Sequence, residues 1–123
     1  MKIILEGSPI STSTIYHYHC KFGHPVGYMT AKGKALKEDY QWQIKSQFHG
    51  KPLKELLKVN IDIYFGTKRK ADWDNFHKLS MDALSGLVWE DDSQVKEAHV
   101  FVKYDKERPR LEIEIKDYEA KLK

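Results

Sequence analysis

Two carboxylates one residue apart, Asp72 and Asp74, follow directly on three cations, Lys68, Arg69 and Lys70. Lys78 comes next, and an apolar run through Asp82-Ala83-Leu84 and Gly86 leads to a second acidic group, Glu90-Asp91-Asp92. Clustered carboxylates can hold a divalent metal, which makes a bound water nucleophilic and neutralises charge on a phosphate. The cations beside them can hold phosphates of a polyanion. Acids inside a basic frame therefore point to metal-assisted work on a polyanion.

These side chains need an element to carry them. Asp72 is of a type that caps helix N-termini, because its carboxylate accepts from the orphan amides of the first turn. At roughly 100° per residue counted from Asp74, Lys78 lies about 40° round and Asp82 about 80° round. Phe76, Leu79, Ala83, Leu84 and Leu87 occupy much of the remaining circumference. The pattern predicts a helix starting at Asp72, buried on one side and charged on the other. It equally suits a plain capped surface helix with Asp74–Lys78 and Lys78–Asp82 pairs at i,i+4 spacing. Asp92 can converge with Asp72 and Asp74 only if a sheet folds the second acidic group back beside the first.

Taken whole, the pattern is more specific. Asp72-x-Asp74-Asn75-x-x-Lys78-x-x-x-Asp82-Ala83-Leu84-x-Gly86, followed by Val88-Trp89-Glu90-Asp91-Asp92-x-Gln94-Val95, resembles the RusA family of Holliday junction resolvases. The resemblance is concentrated between about Phe65 and Tyr104, with weaker agreement at Gly7-Ser8-Pro9 and Tyr28-Met29-Thr30. It implies that Asp72, Asp74 and Asp92 are the catalytic, metal-binding carboxylates and that Lys78 is essential. Asp91 enters as an auxiliary ligand or a support to Asp92, and Asp82 as a helix-face residue tied to Lys78. The implied metal is magnesium, with manganese able to substitute, and the implied partner is a four-way DNA junction cut by a homodimer. One departure is the N-terminal loop: the family usually has Asn after the Pro, whereas this chain has Ser11, Thr12, Ser13 and Thr14.

Length and composition bound the rest. At 123 residues the chain suits one domain with a single modest core, and 41% hydrophobic with 32% charged residues are globular values. The formal charge of +3 is mild, so the placement of cations says more than their sum. A lone cysteine, Cys20, excludes an internal disulfide and fits a reducing compartment. Ile3-Ile4-Leu5 is far short of a signal-peptide core, and no run approaches a membrane span. The expectation is a soluble, cytoplasmic bacterial protein of phage or prophage type, with no membrane partner.

Along the chain, residues 2–6 read as a strand and 15–29 as a hairpin or extended arm, with Gly23, Pro25 and Gly27 marking its turn. Tyr16 and Tyr18 share one face of that arm. They read either as stacking surfaces for exposed bases or as an ordinary edge hairpin, since stacking and strand propensity select the same residues. His17 and His19 lack the further ligands that a tetrahedral metal site needs. Thr30 caps a helix to about Phe48, with Leu36, Tyr40, Ile44 and Phe48 as its buried stripe. Lys32 and Lys34 on it suit a solvated face as well as phosphate contact. Gly50-Lys51-Pro52 ends the helix, and residues 53–57 read as a short turn. Val59, Ile61, Ile63 and Phe65 alternate with polar positions as a strand, and strands follow at 94–104 and around Leu111, Ile113 and Ile115. Residues 117–123 read as a frayed tail.

The predicted architecture is a single α/β (α+β) domain over 1–123, a mixed sheet with two main helices packed on it. The predicted function is a magnesium-dependent endodeoxyribonuclease that resolves four-way junctions by paired nicks, in recombination and repair. Asp72, Asp74, Asp92 and Lys78 carry the chemistry, and Lys68, Arg69, Lys70, with Tyr16, Tyr18, Lys32 and Lys34, meet DNA. Two rivals are a non-catalytic, structure-selective DNA-binding protein and a small metal-dependent phosphohydrolase. Against the latter, the chain has no Gly-rich phosphate cradle and little length for a substrate cap.

Overall fold

The alternation from Leu57 to Phe65 sets the sheet. In a strand, successive side chains point to opposite faces, so this stretch buries every second residue without exception. The computed structural model describes residues 1–11, 15–68 and 76–119, with side chains throughout except those of 17–21 and 24–26. Its elements are β1 (Lys2–Glu6), β2 (Tyr16–Lys21), β3 (His24–Met29), α1 (Ala31–Gln47), β4 (Leu57–Phe65), α2 (Lys78–Leu84), a 3-10 turn (Asp92–Gln94), β5 (Val95–Tyr104) and β6 (Arg110–Asp117). Four strands form one sheet in the order β1-β6-β4-β5, and β2 and β3 form a separate hairpin. β6 runs antiparallel to both β1 and β4, whereas β5 runs parallel to β4. The result is the expected mixed sheet with two helices.

Register builds the core in rows. Ile3, Ile113, Ile61 and Val100 stand opposite one another across the sheet, and Leu5, Leu111 and Ile63 form the next row, which ends at the exposed Val102. Tyr40 and Ile44 of α1, and Leu79, Ala83 and Leu84 of α2, close over the same face. Each fully buried Ile or Leu contributes about 1.5–3 kcal/mol relative to exposure. The opposite face is charged: Arg110 reaches Asp105 and Glu112 at 2.7 and 2.6 Å and lies 3.8 Å from the Tyr64 ring centroid.

β1 ends the sheet on one side, and α1 covers its open edge. The Gln47 amide accepts from Ile4 N at 2.8 Å and donates to Ile4 O at 2.7 Å. The Gln43 amide does the same for Glu6, at 2.7 and 3.2 Å. Two side chains thus complete the backbone bonding that another strand would otherwise supply.

Several boundaries differ from the sequence expectation. The helix predicted from Asp72 begins at Lys78, with His77 as its N-cap, and Asp72 and Asp74 lie outside the described residues. Before the helix can start, the chain inserts Phe76 edge-on against Phe65, ring centroids 4.8 Å apart. The predicted turn over 53–57 is instead a bridge from Leu53 to Trp89 followed by the start of β4. α1 stops at Gln47, before Gly50, where Phe48 becomes extended. The hairpin turns at Phe22-Gly23, both with positive φ, and Pro25 and Gly27 belong to β3. β6 continues through Asp117, and Tyr118 N donates to Leu56 O at 2.9 Å, so the predicted frayed tail is ordered at its start, and residues 120–123 lie outside the described residues.

The hairpin is fastened at its base. Thr30 caps α1 by accepting from Gly33 N at 3.1 Å, and its own N donates to Ile15 O at 2.7 Å. Gly33 sits so close that a Cβ there would lie 2.6 Å from Ile15 Cγ2 and 2.9 Å from Met29 Cγ. Alanine usually improves a helix interior over glycine by about 1 kcal/mol. Here the sign should reverse. Gly33→Ala should lower unfolding free energy by about 1–3 kcal/mol in urea titration, as overpacking does; a stabilised variant would show that the contact can relax.

Candidate active site

The parallel pairing of β4 with β5 sends the chain over the helix face of the sheet between Phe65 and Val95, and this crossover carries the candidate chemistry. An open cleft of about 620 Å³ lies where α2 and the turn before β5 meet the sheet. Ile61, Ala98 and Val100 are among its sheet-derived walls, and Lys78, Asp82 and Asp92 bring charge to it. Lys78 and Asp92, which the resemblance places in one site, therefore share one cleft. Asp72 and Asp74, together with the basic pair Arg69 and Lys70, lie outside the described residues. Among the described residues, no three His, Cys, Asp or Glu side chains gather as a metal site.

Asp92 is oriented from below. The indole Nε1 of Trp89, a fully buried side chain, donates to Asp92 Oδ1 at 2.8 Å. Trp89 is in turn fixed by its backbone, which pairs with Leu53 and accepts from Gly86 N at 2.6 Å. Gly86 has a φ of 87°, a left-handed turn that suits glycine. Gln94 completes the clamp: its Nε2 donates to Leu53 O and Glu55 O at 2.8 and 2.9 Å, and its Oε1 accepts from Asp91 N at 2.8 Å. Gly86, Trp89 and Gln94 belong to the recognised motif, and these contacts give each a physical task.

Asp91 faces a different task from Asp92. Its Oδ2 accepts from the Ser93 hydroxyl and from Ser93 N, which makes it the N-cap of the 3-10 turn in a reciprocal box with Gln94. Those Ser93 hydroxyl and amide bonds hold its carboxyl below the ordinary value. The signal was readable in Asp91-Asp92-Ser93-Gln94, since a capping residue followed three positions later by Gln is a helix-start pattern.

Lys78 and Asp82 are one turn apart on α2, yet no ion pair joins them among the described residues. Tyr16 of β2 stands between them instead. Its O–H donates to Asp82 Oδ2, and Lys78 Nζ lies 4.0 Å from its ring centroid. Burial, then the bond to the Asp82 carboxylate and that group's charge, push the phenol far above its ordinary value. Tyr18 is in β2 opposite Gly27, but its side chain lies outside the described set. Lys32 and Lys34 are exposed on the first turn of α1. Lys68 is exposed beyond β4, its Nζ 5.5 Å from the Tyr104 ring centroid.

The cap and the cleft can be separated by mutation. Asp91→Asn keeps an efficient capping side chain and should keep the melting temperature, whereas Asp91→Ala should lower it in thermal denaturation. Equal losses in both variants would remove the cap as Asp91's task.

Comparison with known proteins identifies the family. Residues 7–116 match the family model described as Endodeoxyribonuclease RusA. The chain is also 30% identical over 89 residues to the "Crossover junction endodeoxyribonuclease rusA" of Enterobacteria phage 82, an alignment covering 72% of this chain and 74% of that protein. With nearly its whole length matched and the motif lysine and last motif aspartate facing one cleft, the chain belongs to the RusA endodeoxyribonuclease family.

Proposed function

We propose that this protein is a metal-dependent endonuclease that resolves four-way DNA junctions by paired, symmetric phosphodiester hydrolysis, in recombination and repair. The observation that carries the reading is that Lys78, from the middle of the crossover, and Asp92, from its end, line one cleft within a RusA-family chain. Asp72, Asp74 and Asp92 would hold magnesium, for which manganese could substitute, because hard divalent cations select carboxylate oxygens. The described part of this set fits: the Trp89 indole fixes one oxygen of Asp92 and so orients the carboxylate. The metal, when bound, supplies a water of lowered pKa and charge to the phosphate.

The chain's own residues do the rest. Lys78 offers a cation to the phosphate charge that grows during hydrolysis. Asp91 holds the turn that presents Asp92. Lys68, Arg69 and Lys70, with Lys32 and Lys34, meet the DNA backbone and position it without reading bases, so binding weakens steeply with salt. Two symmetric strands need two active sites, which favours a homodimer. The phage relative supports a phage or prophage origin, and work on DNA junctions would take place in the bacterial cytoplasm.

The first experiment is cleavage of a synthetic four-way junction, with magnesium or EDTA, beside a linear duplex. Wild type should place symmetric, metal-dependent nicks in the junction alone. Asp74→Asn should abolish cutting and retain or tighten junction binding by removing repulsion; loss of binding would count against a metal-ligand role. Lys78→Ala should lower kcat by about 100-fold or more with little change in affinity. A defect in affinity alone would make Lys78 a backbone contact. Tight junction binding with no cutting under any metal would favour a structure-selective binding protein.

A further inference from the structure

On the sequence, Tyr16 belongs to an aromatic arm and Asp82 to a helix face, and the expected local contact is an ion pair between Lys78 and Asp82. The structure arranges the three differently. Tyr16 crosses from the hairpin to α2, gives its hydroxyl to Asp82 and its ring face to Lys78. We infer that Tyr16 is a positioning residue for Lys78: by occupying Asp82 and presenting its ring, it holds the lysine ammonium in the cleft without neutralising it. The inference deepens the proposed nuclease reading and rests on it.

Several observations support this. Lys78 and Asp82 are at i,i+4 on one helix face, a spacing at which they would ordinarily draw together. A carboxylate in direct contact would cancel the charge that a phosphate needs to meet, whereas an aromatic face attracts the ammonium and leaves its charge intact. Burial and the Asp82 carboxylate keep the phenol protonated, so the hydroxyl remains a donor and the ring remains neutral. The hairpin also supplies Tyr16 from a fixed base, because Ile15 beside it is buried and bonded to Thr30. A residue half-buried against a helix, with its hydroxyl engaged, is poorly placed to stack on a base.

The test compares junction cutting by wild type, Tyr16→Phe, Tyr16→Leu, Lys78→Ala and the Tyr16→Leu/Lys78→Ala double variant. Tyr16→Leu should lower kcat by about 10- to 100-fold with KM within about threefold, since misplacing a catalytic group by an ångström costs on that order. Tyr16→Phe, which keeps the ring, should recover most of the loss. In the Lys78→Ala background, Tyr16→Leu should cost nothing more, because both changes remove the same group. A raised KM with unchanged kcat, or losses that multiply in the double variant, would overturn the inference and make Tyr16 an independent DNA contact. NMR of labelled lysine gives a readout apart from activity. The Lys78 Hε resonances should be shifted upfield by the ring in wild type and Tyr16→Phe, and return in Tyr16→Leu. No upfield shift in wild type would sink the inference whatever the kinetics. If wild type cuts no junction but keeps the shift, the nuclease reading fails while the contact stands.

Discussion

Parallel pairing between β4 and β5 is the constraint on which the site depends. Two antiparallel strands can be joined by a tight turn, but two parallel neighbours require the chain to travel back along the sheet before it can pair. The segment between Phe65 and Val95 makes that journey. It has to cover a hydrophobic face on the way, which Leu79, Ala83, Leu84, Val88 and Trp89 do. Residues far apart on the crossover thereby come to lie over the same patch of sheet. Lys78 and Asp92 face one cleft as a result of topology before any specific attraction between them is considered.

Two local devices refine what topology delivers. Below Asp92, a buried indole and the Gln94 amide hold the turn against the backbone of Leu53. Above Lys78, a tyrosine from a separate sheet takes the neighbouring carboxylate out of play. Both hold a charged side chain by a hydrogen bond or ring contact from a residue elsewhere in the fold. Low-dielectric surroundings make such holding effective, because Trp89 cannot exchange its bond to Asp92 for one to water.

Much of this was legible in the sequence, and the exceptions have physical causes. The alternation at Val59 to Phe65 and the Thr30 cap of α1 report local rules and came through plainly. The late start of α2 did not, because Phe76, Leu79 and Ala83 keep helical spacing through a bend at which Phe76 packs edge-on against Phe65. The amides of Gln43 and Gln47 look like ordinary solvated side chains until β1 is set beside them. Tyr16 was ambiguous for a deeper reason: strand propensity, base stacking and helix contact all select the same aromatic residue. Asp92 is singled out from Asp91 in the sequence only through the motif as a whole; in the structure the two carboxylates differ in their donors, Trp89 for Asp92 and Ser93 for Asp91.

The two edges of the main sheet are treated unequally. α1 seals β1 with paired amides, while β5 has no strand on its outer side among the described residues. Edge-to-edge growth of a sheet into a fibre needs two receptive edges on every subunit, one to receive and one to offer. A molecule with a single receptive edge is a chain terminator for its own kind. Two copies meeting along β5 would use up each other's edge and stop there, so the covering of β1 protects against open-ended aggregation while leaving closed pairing permitted.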